Sequence, residues 1–183
     1  MTASPTIRRM GLITLLAILA LALFSALLGH RAPRGTSNRP VDDYPELFAE
    51  ATACPRRSPG LENARRLEEL ARLRADRYAY DPRDGIRAVH RYQEAEACYR
   101  VAGEESEALR AGRASARLAA RVNTDYAAAR LNLVNALEQE RWSVALSEIH
   151  RLLLLTDHYG RHEYVDWLKR IIGRVAARAS TAS

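Results

Sequence analysis

Residues 127–157 read AAARLNLVNALEQERWSVALSEIHRLLLLTD, and this stretch decides the fold class. Leu133, Val134 and Leu137 recur at helical spacing, and Ala145, Ile149 and Leu152 do so again after a polar break at residues 138–141. A period near 3.6 marks an amphipathic helix, whereas a strand would alternate at every second position. Two such segments joined by a few residues pack antiparallel, so the stretch is expected to be a helical hairpin.

Working outward, the same pattern continues in both directions. Residues 61–80 place Leu67, Leu70 and Leu73 at helical spacing, and the sequence DPRDG at 81–85 is expected to turn the chain. Residues 86–102 carry Ala88, Tyr92, Ala95, Tyr99 and Ala102 on one face. Gly103 separates that helix from one at 104–122, and Asn123, Thr124 and Asp125 are expected to stop it and cap the next. Helices at 126–140, 142–156 and 162–179 complete six. A shorter one is expected over 45–54, opened by Pro45, with Leu47, Phe48 and Ala51 on one side. No strand pattern of useful length occurs. The fold class is all-α: antiparallel helical hairpins stacked over residues 46–179, with a tail at 180–183.

The N-terminal part differs in kind. Residues 11–29 (GLITLLAILALALFSALLG) carry no charge, and at about 1.5 Å per residue they reach roughly the thickness of a bilayer core as a helix. No small-x-small cleavage pattern follows, and neither does a cysteine able to accept lipid, so the stretch is expected to remain as a transmembrane anchor after a short tail at 1–10. Residues 30–45, HRAPRGTSNRPVDDYP, are expected to form a flexible linker. Arg8 and Arg9 before the anchor and Arg31, Arg34 and Arg39 after it nearly balance. The short tail is expected inside, with the domain on the outer side of the cytoplasmic membrane.

The formal net charge is +6, of which Arg8, Arg9 and Arg31 supply three, and Lys169 is the single lysine. This arginine-rich, alanine-rich usage does not call for a polyanionic partner, and nucleic acid is not expected. Two cysteines, Cys54 and Cys98, read either as two small buried side chains or, in an oxidising compartment, as one disulfide. There is no CxxC pair, phosphate loop or nucleophile elbow. His158, His162 and Glu163 lack the HExxH pattern of a zinc site. No enzyme activity, metal or cofactor is expected.

On Leu133, Val134, Leu137, Ala145, Ile149 and Leu152, residues 127–157 resemble a tetratricopeptide repeat, a helical hairpin of roughly 34 residues. Ala88, Tyr92 and Ala95 repeat the small-bulky-small spacing of its second helix. The resemblance implies a concave surface that binds peptide segments, lined by Asn132, Asn135, Glu138 and Gln139. Read directly from the residues, Arg110, Arg113, Arg117 and Arg121 form a basic stripe at spacings of 3, 4 and 4. The last helix has more apolar residues than one narrow face holds, which points either to deep packing or to docking with Tyr164 and Trp167 as anchors. The expected function is a membrane-anchored, tetratricopeptide-like adaptor or assembly factor for protein or peptide partners in the bacterial cell envelope. The alternative is a permanent structural subunit of a larger membrane complex.

Overall fold

The computed structural model describes residues 43–49, 52–55 and 60–181. The expected anchor at 11–29, the tail at 1–10 and the linker as far as residue 42 lie outside the described residues. Among the described residues no helix is long and apolar enough to cross a membrane.

Five helices and no strand are found among the described residues: α1 (Leu61–Arg77), α2 (Pro82–Val101), α3 (Glu105–Glu138), α4 (Trp142–Leu155) and α5 (Glu163–Thr181). Cross-helix bonds show that neighbours run antiparallel. Tyr99 of α2 reaches Glu68 of α1 at one end of their pair, while Arg74 and Arg77 meet Asp84 at the other. Ser115 of α3 donates to the Val89 carbonyl of α2, Asn132 of α3 donates to Glu148 of α4, and Arg178 of α5 lies over the Trp142 ring of α4.

The main departure from the sequence reading is α3. Helices expected at 104–122 and 126–140 are one continuous helix of 34 residues, about 51 Å long. The residues expected to stop it are used sideways instead. Thr124 donates to the Ala120 carbonyl one turn back, and Asp125 accepts from the Tyr78 hydroxyl at 2.6 Å rather than from a backbone N–H. Val122, Tyr126 and Ala129 on the adjoining face are buried, and that packing outweighs the turn preference of the polar triplet.

Two apolar clusters result. Ala64 and Leu67 of α1, Ala95 and Tyr99 of α2, and Ala108 and Ala111 of α3 form one. The fully buried alanines let the helices approach closely. The larger cluster joins the second half of α3 to Ile149, Leu152 and Leu155 of α4 and to Tyr164, Trp167 and Leu168 of α5.

Local boundaries also shift. The expected turn at 81–85 moves upstream, because Asp81 caps α2 by accepting from Arg83 N and Pro82 fits the first turn. Gly85 is then helical and lies under Tyr78; a methyl group there meets the ring, with Cε2 at 2.6 Å. On α1 the buried face is Ala64, Leu67 and Ala71, while Leu70 and Leu73 of the expected stripe are 40% and 50% exposed. Residues 180 and 181, expected as tail, continue α5.

No helix forms among the described residues of 45–54. That segment is a strap without regular structure, and from Phe48 to Cys54 its contacts follow α2 in the same direction, from His90 to Cys98. Cys54 is joined to Cys98, Thr52 donates to Gln93, and the Phe48 ring meets His90 edge-on. Leu47 is buried in the larger cluster, and the Tyr159 hydroxyl donates to the Glu46 carbonyl. Tyr44 and Pro45, expected to be linker, are packed in the same way.

Glu140 ends α3 with φ of 54°, in the left-handed region, where the Arg141 N–H bonds the Ala136 carbonyl in a closing turn that glycine usually occupies. Glu140→Gly is expected to raise stability by about 0.5–1 kcal/mol in denaturant unfolding, because it removes the left-handed strain of a side chain. The 44-residue separation between Cys54 and Cys98 means that Cys54→Ser with Cys98→Ser costs about 3–4 kcal/mol by loop entropy, read in the same experiment.

Candidate functional site

Because α3 does not break, residues that the sequence reading assigned to two helices share one face. Eleven residues make about three helical turns, so Arg110, Arg121 and Asn132 fall in one row. Arg113 is in register with Asn135, and Arg117 with Gln139, at about twice that interval. All seven are exposed, as is Glu138 at the edge of the row. The face is cationic toward the start of the helix and carries amides toward its end.

At the cationic end the face forms one wall of a cleft. Arg65, Glu68 and Arg72 of α1 stand opposite Glu107 and Arg110 of α3, Tyr92 and Tyr99 of α2 line the cleft between them, and the volume is ≈ 360 Å³. Glu68 is the hub. It accepts from Arg110 Nε at 3.1 Å, from Arg110 Nη2 at 2.9 Å and from the Tyr99 hydroxyl at 2.7 Å. The Arg110 guanidinium holds the Glu68 carboxyl below the usual carboxylate range, against the opposing effect of burial. Burial, reinforced by the bond to Glu68, pushes the Tyr99 hydroxyl up to about 12.

The four arginines of the stripe are not equivalent. Arg110 is committed to Glu68, and Arg121 lies 5.4 Å from the centre of the Tyr78 ring. Among the described residues Arg113 and Arg117 are in no ion pair, so their guanidinium groups face outward with free donors. Of the amide residues, Asn132 donates to Glu148 at 3.4 Å and Gln139 donates to Asn135 at 2.8 Å. These groups can bind acceptors and donors on a chain laid along the helix.

Tyr164 and Trp167 are not on this face and are not exposed anchors. They are 1% and 3% exposed and stack on each other, with ring centres 5.6 Å apart. The strap covers them: Tyr44 meets Tyr164 edge-on at 4.9 Å. The extra apolar residues of α5 are thus used in packing, because this helix is overlaid by the strap as well as by α4. The Arg130 guanidinium, on the side of α3 away from the exposed face, lies 4.0 Å from the Tyr44 ring centre and 4.8 Å from that of Tyr126. Sequence reasoning missed Arg130, Tyr126 and Tyr44. The Tyr126–Arg130 interval of four residues was visible, but nothing along the chain places Tyr44 over it.

His158 and His162 flank the Tyr159 ring at 4.4 Å and 5.9 Å, and His162 Nδ1 accepts from the Tyr164 N–H at the start of α5. The histidines are therefore used in ring packing and helix capping.

The described part of the chain is an all-α assembly of antiparallel helices around one long helix, with an exposed polar face and a disulfide-held strap. Comparison of the chain with protein-family models, with curated proteins and with solved structures finds no match.

The charged hub sets a pH dependence. Glu68 is held below its ordinary value of 4.5, so its contribution is full above that value and is lost as pH falls through the folded-state value. Tyr99 has the opposite sign: its contribution is full below pH 10 and is lost as pH rises from 10 toward about 12. Thermal unfolding followed by circular dichroism is expected to show both limbs. Glu68→Gln should flatten the acid limb, and Tyr99→Phe should make the alkaline limb shallower; unchanged limbs in these variants would remove the hub from the account.

Proposed function

We propose that this chain is a membrane-anchored, tetratricopeptide-like adaptor or assembly factor that binds protein or peptide partners in the bacterial cell envelope. The observation that carries the reading is the exposed face of α3, along which the outward guanidinium groups of Arg113 and Arg117 and the amides of Asn135 and, at the C-cap, Gln139 are aligned on one continuous helix. From Arg110 to Gln139 that face is about 44 Å long, enough to engage an extended segment or a partner helix. Free arginines at one end favour an acidic stretch, and side-chain amides at the other bind backbone groups with little demand on sequence. Binding on this face is by shape, charge and hydrogen bonding.

The Cys54–Cys98 disulfide supports an extracytoplasmic position for the domain, since such bonds persist in oxidising compartments. The apolar stretch at 11–29 supports the anchor.

Leu70 and Leu73, exposed on the outer side of α1, favour a second reading in which the chain is a permanent subunit of a membrane complex. The two readings differ in where a partner touches.

The test uses the full chain in cells of its source, with a photo-reactive benzophenone residue placed at Arg117, at Asn135, at Leu73 on the outer side of α1 or, as a control on α5, at Arg170. The adaptor reading expects the same partner to be captured from Arg117 and Asn135 but not from Arg170. Capture from Leu73 alone would transfer support to the subunit reading. Absence of adducts at both Arg117 and Asn135 would overturn the adaptor reading.

A further inference from the structure

We propose that the slot filled by the Tyr44 ring is a binding site for an aromatic carboxylate, with Arg130 and Tyr126 of α3 as its acid-recognising groups and Tyr44 as a displaceable plug. This site is on the opposite side of α3 from the exposed face and does not depend on the adaptor reading.

Unmatched polarity in a packed place carries the inference. Arg130 Nε and the Tyr126 hydroxyl are both buried with no hydrogen-bond partner, and so is Trp167 Nε1 nearby. Arg130 is half-buried and is in no ion pair among the described residues. Buried arginines are ordinarily matched by a carboxylate, and an unmatched buried donor costs about 1–3 kcal/mol. Here two tyrosine rings lie against the guanidinium, with centres 4.0 Å and 4.8 Å from it, while its buried Nε–H has no acceptor. A carboxylate is the planar two-oxygen group that fits such an edge. Burial pushes the Tyr126 hydroxyl above its ordinary range, so at neutral pH it stays protonated and is a donor as well.

The shape of the slot supplies the rest of the ligand. Tyr44 fits one flat ring between the Arg130 guanidinium at 4.0 Å and the Tyr164 ring at 4.9 Å. A cavity of ≈ 350 Å³ adjoins it, lined by residues 44–48 of the strap and by Asn123, Tyr126 and Arg130 of α3. Tyr44 satisfies the stacking but brings no acidic group to the unmatched donors. A ligand with a ring and a carboxylate satisfies both. Tyr44 lies ten residues before Cys54, so its ring can leave while the chain remains fastened at the disulfide.

One chemistry has two sources here, a free aromatic acid and an aromatic residue at the end of a peptide chain. Titration calorimetry on the full-length protein in neutral detergent, with benzoate, N-acetylphenylalanine and N-acetylphenylalaninamide as probes, separates them. Both acids are expected to bind and the amide to bind at least about tenfold more weakly, the effect of losing a charged hydrogen bond. Tighter binding of benzoate assigns the site to free acids, and tighter binding of N-acetylphenylalanine to chain ends. Arg130→Gln should weaken the acids by about tenfold. Tyr44→Ala should tighten them, because it removes the competing ring. Tyr126→Phe keeps the ring packing and should still weaken binding, which preserves the test where Arg130→Gln does not fold. Equal affinity for acid and amide, no binding of either acid, or no tightening in a folded Tyr44→Ala variant overturns the proposal.

Discussion

In the middle of α3, Asp125 accepts a hydrogen bond from Tyr78 and is approached from the α4 side by Arg151 at 3.8 Å. Tyr78 is itself wedged between the Gly85 backbone and the Arg121 guanidinium. This contact joins the end of the α1–α2 hairpin to the point at which α3 passes from the smaller apolar cluster to the larger one. A single rigid helix serving both clusters is the constraint on which the remaining geometry depends. It aligns the exposed row from Arg110 to Gln139, and it places Tyr126 and Arg130 on the far side, where the strap crosses.

The strap is the second organising element. It has no regular structure of its own, so its backbone position is set by side-chain contacts: the disulfide at one end, Leu47 in the core, and Tyr44 over α3 and α5. Chain entropy opposes ordering such a segment, and the covalent link to α2 reduces that opposition by shortening the free length. The result is that the apolar surface of α5, including Tyr164 and Trp167, is covered by the chain itself.

The two faces of α3 therefore have different physics. One is wet, charged and open, where individual ion pairs contribute little and binding gains from many aligned groups. The other is packed under the strap, and there a donor that is itself buried, such as Arg130 Nε, matters more because it has no acceptor. Arg113 and Arg117 belong to the first setting, Arg130 to the second.

The all-α class was legible in the sequence because apolar periodicity is a local signal. The hairpin at 127–157 and its boundary at residues 139–141 follow from it. Helix continuity was not legible. Asn123, Thr124 and Asp125 are locally good terminators, and only the partners supplied by Tyr78, by Arg151 and by the buried faces of Val122 and Tyr126 keep the helix running. Likewise the apolar richness of α5 was visible, but whether Tyr164 and Trp167 faced a partner or the core depended on a segment more than a hundred residues away. The chain alone determined which residues are amphipathic and where charge is concentrated, since these depend on neighbours within a few turns. Tertiary structure decided which helices merge, what covers α5, and that Arg130 is left without an acid, since each depends on contacts between residues distant along the chain.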